Sequence, residues 1–144
     1  MTRINSDINV GTLSDQHLMA EWRELSMVPA SLKRSLKNNS LQSVISRIPN
    51  KFTLGTGHVL FWYNKLDFLK TRYYNLTQEL INRRYNIDVT RPHNLDGFPI
   101  ELYGSYTMDN KDKEIIIERL LSRINIKPDW YKFYGKKYNV EILK

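Results

Sequence analysis

One run of residues constrains the chain more than any other. Trp62, Leu66, Leu69, Tyr73, Leu76 and Leu80 recur at alternating spacings of four and three. That spacing puts all six on one side of a helix and demands an apolar surface to pack against. It predicts a long amphipathic helix over 64–83. Two further periodic runs flank it. Ser14 is a good N-cap and Asp15 suits a first turn, and Leu18, Trp22, Leu25, Leu32 and Leu36 follow. They predict a helix over 15–38, kinked or interrupted near Pro29, with a shorter piece over 41–48 stopped by Pro49. Asp109 can cap a third helix over 110–125, whose inner face is Ile116, Ile117, Leu120, Leu121 and Ile124, with Pro128 beyond its end.

Between these runs the pattern lapses. Residues 1–13 read as extended, and 52–63 as an irregular, packed approach to the long helix. Residues 85–108 carry Pro92, Gly97, Pro99 and Gly104 and read as a long connection. There is no convincing alternating strand. The expected fold is all-α: one compact domain over 1–144, with three main helices, an extended N-terminal arm and long irregular connections.

Composition removes several chemistries. The 144 residues include no cysteine, which excludes a disulfide scaffold, thiolate-bound zinc, an iron–sulfur cluster and a thiol nucleophile. No apolar run approaches the ~20 residues of a membrane span, and 1–10 lacks the apolar core of a signal peptide. A monomer in a reducing, cytosol-like compartment is expected. Charge then points towards a partner. Twenty-two Lys and Arg against fifteen Asp and Glu give +7, which favours a polyanion. Between Leu25 and Leu66 lie Lys33, Arg34, Lys37, Arg47, Lys51 and Lys65 with no acid among them. Between Arg119 and Lys137 six bases face only Asp129. Two such stretches could frame a nucleic-acid groove, or simply be a solvated basic surface.

Few constellations carry chemistry. His17, Glu21 and Glu24 share one face of the first helix and could hold a metal for hydrolysis. No matching ligand set exists on the other helices, so the polar face of an amphipathic helix is the plainer reading. Gly55 and Gly57 do not make a phosphate loop, and no serine sits in a nucleophile elbow. Residues 130–138 interleave five aromatics with Lys132, Lys136 and Lys137. Such a segment can neutralise phosphates and stack on bases, or anchor the chain onto the helices. One nucleophile is left out of any side-chain count. Removal of Met1 would expose the α-amine of Thr2, which titrates near ~7.7–8.0 against ~10.4 for lysine and so is far more often neutral at pH 7. Arg3 beside it would favour the neutral amine further. Such an amine can attack a sugar carbon and form a Schiff base.

These residues form a set that resembles the pyrimidine-dimer DNA glycosylase family, the phage-type endonuclease V. The matching stretches are 1–5 (MTRIN), 15–25 (DQHLMAEWREL), 57–69 (GHVLFWYNKLDFL), 85–87 (YNI) and 130–136 (WYKFYGK). The stretch LKRSL…IPNKFTLGTGHVLF is most similar to the chlorella-virus branch. The resemblance implies a compact helical domain that excises the 5′ base of a cyclobutane pyrimidine dimer in duplex DNA. It then nicks the abasic site as an AP lyase, with neither metal nor small-molecule cofactor. It implies Thr2 as the nucleophile at C1′ and Glu24 as the catalytic carboxylate. Arg3, Gln16, His17 and Arg23 would face DNA at the active site, and Arg119 and Arg123 would contact phosphates. The family flips out the adenine opposite the lesion, so DNA must be deformed on binding. The enzyme would act on DNA in the cytosol, or in a host nucleoid or nucleus if the source is viral. Two positions depart from the phage pattern: Met27 stands where an arginine is found, and Tyr73 where a glutamine is found. A helical protein that binds DNA without catalysis would share the charge and the aromatic segment but would not need a free Thr2.

Overall fold

The long helix sits at the centre of the molecule. In a computed structural model that describes residues 3–144, it runs from Leu66 to Asn82. Leu66, Leu69, Leu76 and Leu80 on it are fully buried and Tyr73 nearly so, as the four-and-three spacing requires. Burying each leucine contributes on the order of 1.5–3 kcal/mol. Numbered in chain order, the α-helices are α1 (Asp15–Glu24), α2 (Met27–Asn38), α3 (Leu41–Ser46), α4 (His58–Phe61), α5 (Leu66–Asn82) and α6 (Asn110–Ile126). The central helix is therefore α5. Helix α1 packs along it. The buried apolar side chains form a contiguous cluster to which every one of these helices contributes. The all-α reading holds.

Three local differences from the sequence reading have physical causes. The first helix does not bend at Pro29 but breaks earlier, at Leu25 and Ser26. Pro29 is the third residue of α2, where a backbone N–H has no partner within the helix, so proline costs nothing there. The Leu25 carbonyl instead accepts from Val28 N at 3.1 Å. The N-terminal arm is less extended than expected. Ser6 takes a left-handed φ of 49°, Val10–Thr12 forms a 3-10 turn, and Ile4, Ile8 and Leu13 are buried in the core. The segment at 52–63 contains α4 and a 3-10 turn, Trp62–Asn64.

The C-terminal segment folds into a hairpin that period counting missed. Strands β1 (Lys132–Phe133) and β2 (Lys136–Lys137) pair antiparallel, Lys132 opposite Lys137 and Phe133 opposite Lys136. The two loop residues, Tyr134 and Gly135, both have positive φ (53° and 78°), as a tight type I′ turn requires. Two residues per strand are too few to show alternation. Apart from the 3-10 turn Ile100–Leu102, the 85–108 connection has no regular element. It is nonetheless tied down: Leu95 and Leu102 are buried, Tyr103 Oη donates to the Leu95 carbonyl (2.6 Å), and Tyr73 Oη donates to the Arg91 carbonyl (2.8 Å). Gly104 is required by close approach, because a Cβ there would lie 2.4 Å from the Asn64 carbonyl oxygen.

Candidate nucleic-acid interface

Helix α1 starts as the sequence suggests. Ser14 Oγ accepts from His17 N at 3.1 Å, closing the first turn. From there the helix distributes its polar residues to different tasks. Glu21 points into the protein, where its carboxylate accepts two bonds from Arg72 (2.6 and 3.0 Å) and one from Asn5 Nδ2 (2.8 Å). Both members of that ion pair are buried, and Arg72 also donates to the Ile8 carbonyl at 2.6 Å. Glu21 is thus a structural acid, and the trio with His17 and Glu24 does not converge. Among the described residues no three His, Asp or Glu side chains gather in a metal-binding arrangement.

Glu24, one turn on, is only partly buried and belongs to a different environment. It lies in the field of Arg119, a partly buried arginine of α6. Burial lowers the pKa of Arg119, Arg3 and Arg123 lower it further, and Glu24 and Tyr131 oppose them. A guanidinium lowered in this way still carries its charge at neutral pH. Arg119 and Arg123 are one helical turn apart on α6, so their charges add on one face. Among the described residues neither has a carboxylate within ion-pair distance. This face therefore concentrates positive charge around one carboxylate.

His17 belongs to the same face. Its ring stacks on Tyr131, with centroids 4.8 Å apart at 21°, and its Nδ1 lies 3.0 Å from Ser14 Oγ. Burial, then Arg119 and Arg123, push it down to about 4, so the ring is neutral at pH 7. It offers hydrogen bonds and a flat surface there, not charge. Trp130 meets Tyr131 edge to face at 5.0 Å and is more than half exposed, leaving an aromatic ring at the rim.

The remaining expected site residues are placed unevenly. Thr2 lies outside the described residues, whereas Arg3, next to it, lies within the Arg119 field. Gln16 acts as a clamp: its Nε2 donates to the Trp130 carbonyl (3.0 Å) and its Oε1 accepts from Lys132 N (2.9 Å). Its amide is thereby committed to holding the hairpin against α1. Lys132 Nζ donates to the Asp129 carbonyl (3.0 Å), and Lys136 is exposed on β2. Arg23 is exposed at the end of α1.

Residues to which the sequence reading gave no role at the site brace α1 and the hairpin. Asp15 receives Tyr134 N and Gly135 N at 3.0 and 2.9 Å, gripping the hairpin turn, and pairs with Arg83 at 3.0 Å. Burial tends to raise the Asp15 pKa, but these bonds outweigh it and hold the carboxyl below its usual range. Arg91 stacks on Trp22 (4.8 Å) and donates to the Arg23 carbonyl (2.9 Å) and Ser26 Oγ (3.0 Å), bracing the end of α1 that carries Glu24. Tyr73 anchors that brace through its bond to the Arg91 carbonyl, which is what the tyrosine does in this chain. Only the position of Asp15, beside Gln16 in a matching stretch, hinted at any of this.

A groove of about 650 Å³ lies elsewhere, lined by Pro29, Lys33, Leu36 and Phe98 among others, away from the charged face. Its lining shares no residue with that face. No helix among the described residues is long and apolar enough to cross a membrane. A family model described as pyrimidine dimer DNA glycosylase matches residues 1–92, and the chain belongs to that family.

Proposed function

We propose that this DNA glycosylase works through the α-amine of Thr2 and the carboxylate of Glu24, and that it also cleaves the abasic strand. DNA is its substrate and base excision its chemistry, as membership of the family establishes. The observation that carries the finer reading is the placement of Glu24 within the field of Arg119, beside Arg3 and Arg123. The cations suit the phosphates flanking a lesion, and the carboxylate suits the positive character left on the sugar when a base departs.

The glycosidic bond breaks, and the departing base takes its electron pair and a proton. The Thr2 nitrogen bonds to C1′, and opening of the sugar ring leaves an imine. The imine acidifies C2′, a base removes that proton, and the released pair expels the 3′ phosphate in β-elimination. Glu24 stabilises the first step and serves as the base or its relay in the last. Arg3, Arg23, Arg119 and Arg123 hold the backbone of the bent duplex, with Lys132 and Lys136 extending the basic track.

Borohydride added during incubation with dimer-containing duplex tests the amine: it should trap a covalent adduct that peptide mapping places on Thr2. An adduct on a lysine would overturn the mechanism. Glu24→Gln keeps size and hydrogen-bonding capacity but loses the charge. Its excision should fall by ~10² or more while gel-shift affinity and thermal stability hold. Near-normal excision by Glu24→Gln would remove Glu24 from the chemistry.

A further inference from the structure

His58 is buried on α4, far from Arg3 and Ile4 in sequence, yet it bonds the arm directly. Ile4 N donates to His58 Nε2 at 2.8 Å, and His58 Nδ1 lies 2.7 Å from the Thr53 carbonyl. A carbonyl only accepts, so Nδ1 carries the proton and Nε2 presents its lone pair to the Ile4 amide. One tautomer of a neutral imidazole satisfies both bonds. The ring is packed between Phe52 (centroids 5.6 Å) and the edge of Trp62 (6.2 Å), which fixes its plane. The adjoining residue of the arm is pinned separately, by Asn5 Nδ2 to Glu21.

We infer that His58 is a positioning residue for the reactive amine, holding the arm at Ile4 so that the terminus is delivered to one place beside Glu24 and Arg119. The inference rests on Thr2 supplying that amine. From Ile4 N back to the Thr2 nitrogen is two residues, a reach of at most ~7 Å. Anchoring the Ile4 amide therefore restricts where the terminus can lie, and a nucleophile gains most of its effective concentration from such restriction. Burial, then Arg3 and Arg119, hold His58 down at about 4 against the opposing pull of the Thr53 carbonyl and Glu21, so the accepting lone pair is present throughout the neutral range. The role is geometric: His58 takes no proton from substrate.

The test uses the whole protein on duplex carrying a preformed abasic site, with borohydride trapping under single-turnover conditions, gel-shift affinity and thermal melting measured in parallel. His58→Gln places an amide oxygen where Nε2 was and keeps an acceptor for Ile4 N. His58→Asn is too short to reach, and His58→Leu has no acceptor. Trapping should slow by about 10²-fold in the Asn and Leu variants, with duplex affinity little changed, and recover largely in the Gln variant. Should the Leu variant fail to fold, the Gln and Asn pair still decides. Equal trapping rates in those two, or a folded Leu variant that traps like wild type, would overturn the inference. A wild-type adduct mapping away from Thr2 would instead overturn the amine reading, and that outcome appears before any variant is compared.

Discussion

Two groups of arginines near α1 are treated in opposite ways. Arg72 and Arg83 are buried, and each is enclosed by acceptors. Arg72 has Glu21 and the Ile8 carbonyl. Arg83 has Asp15 (3.0 Å), Glu79 (2.9 Å) and the carbonyls of Leu13 and Val10, with Phe133 and Tyr134 stacked on its guanidinium. Arg119 shows the reverse: it is lowered by burial and by two neighbouring arginines, and Glu24 is the carboxylate that pulls against them. The first group has its donors filled from within the chain. The second brings the like charges of Arg119 and Arg123 together on α6, an arrangement that a bound anion would relieve. The residue type is the same in both places. Its use is decided by what fills its donors.

The largest effect should come from breaking the filled group. Arg72→Ala leaves Glu21 and its carboxylate buried without a counter-charge, which should cost about 3–5 kcal/mol in urea denaturation. Replacing both members, Arg72→Met with Glu21→Leu, should recover much of that loss. A single variant that loses under about 1 kcal/mol would erase the contrast.

The charged face should behave oppositely. Arg119→Gln removes a cation that others repel, so stability should hold or rise slightly. Affinity for undamaged duplex should fall by about tenfold, and the slope of log affinity against log salt should lessen by about one. A clear stability loss with unchanged salt slope would move Arg119 into the structural group.

The pH dependence of stability tests the two histidines whose pKa burial lowers. His17 and His58 sit at about 4 in the fold, against an unfolded value near 6.5. The unfolded chain therefore binds protons that the folded one refuses as pH falls through that window. Stability should be intact above about 6.5, decline towards 4, and lose nothing further from these two groups below it. Denaturant midpoints at successive pH values check this, and His58→Gln should flatten the decline. A midpoint independent of pH across the window would contradict the placement of both rings.

What was legible in the sequence follows the range of the interaction. The 64–83 period and the Ser14 and Asp109 caps act within one or two turns: α5 and α6 are present with ends shifted by one or two residues, and α1 starts where Ser14 places it. Pro29 misled because proline's cost depends on its position within the helix, which the position of the break at Leu25 decides. Glu21 and Glu24 could not be separated by spacing alone. The resemblance chose Glu24, and the structure shows why Glu21 is otherwise engaged: Arg72 lies 51 residues along the chain. The docking of the hairpin on Asp15, the Gln16 clamp and the Arg91 brace were illegible for the same reason. Each joins segments separated by 65 residues or more to a face that no local period describes.

The grip of Asp15 on the Tyr134–Gly135 turn spans some 120 positions, and Gln16 reaches nearly as far. A ribosome makes these partners at very different times. The early helix emerges with Asp15 lacking its turn and His17 lacking its stacking ring, and it stays so until residue 135 has been synthesised. The charged face is thus completed late, because the turn and the ring that hold α1 against the hairpin are made last. The order of synthesis sets the order of assembly: the contacts of Asp15 and Gln16 close only after the chain has been made through the hairpin.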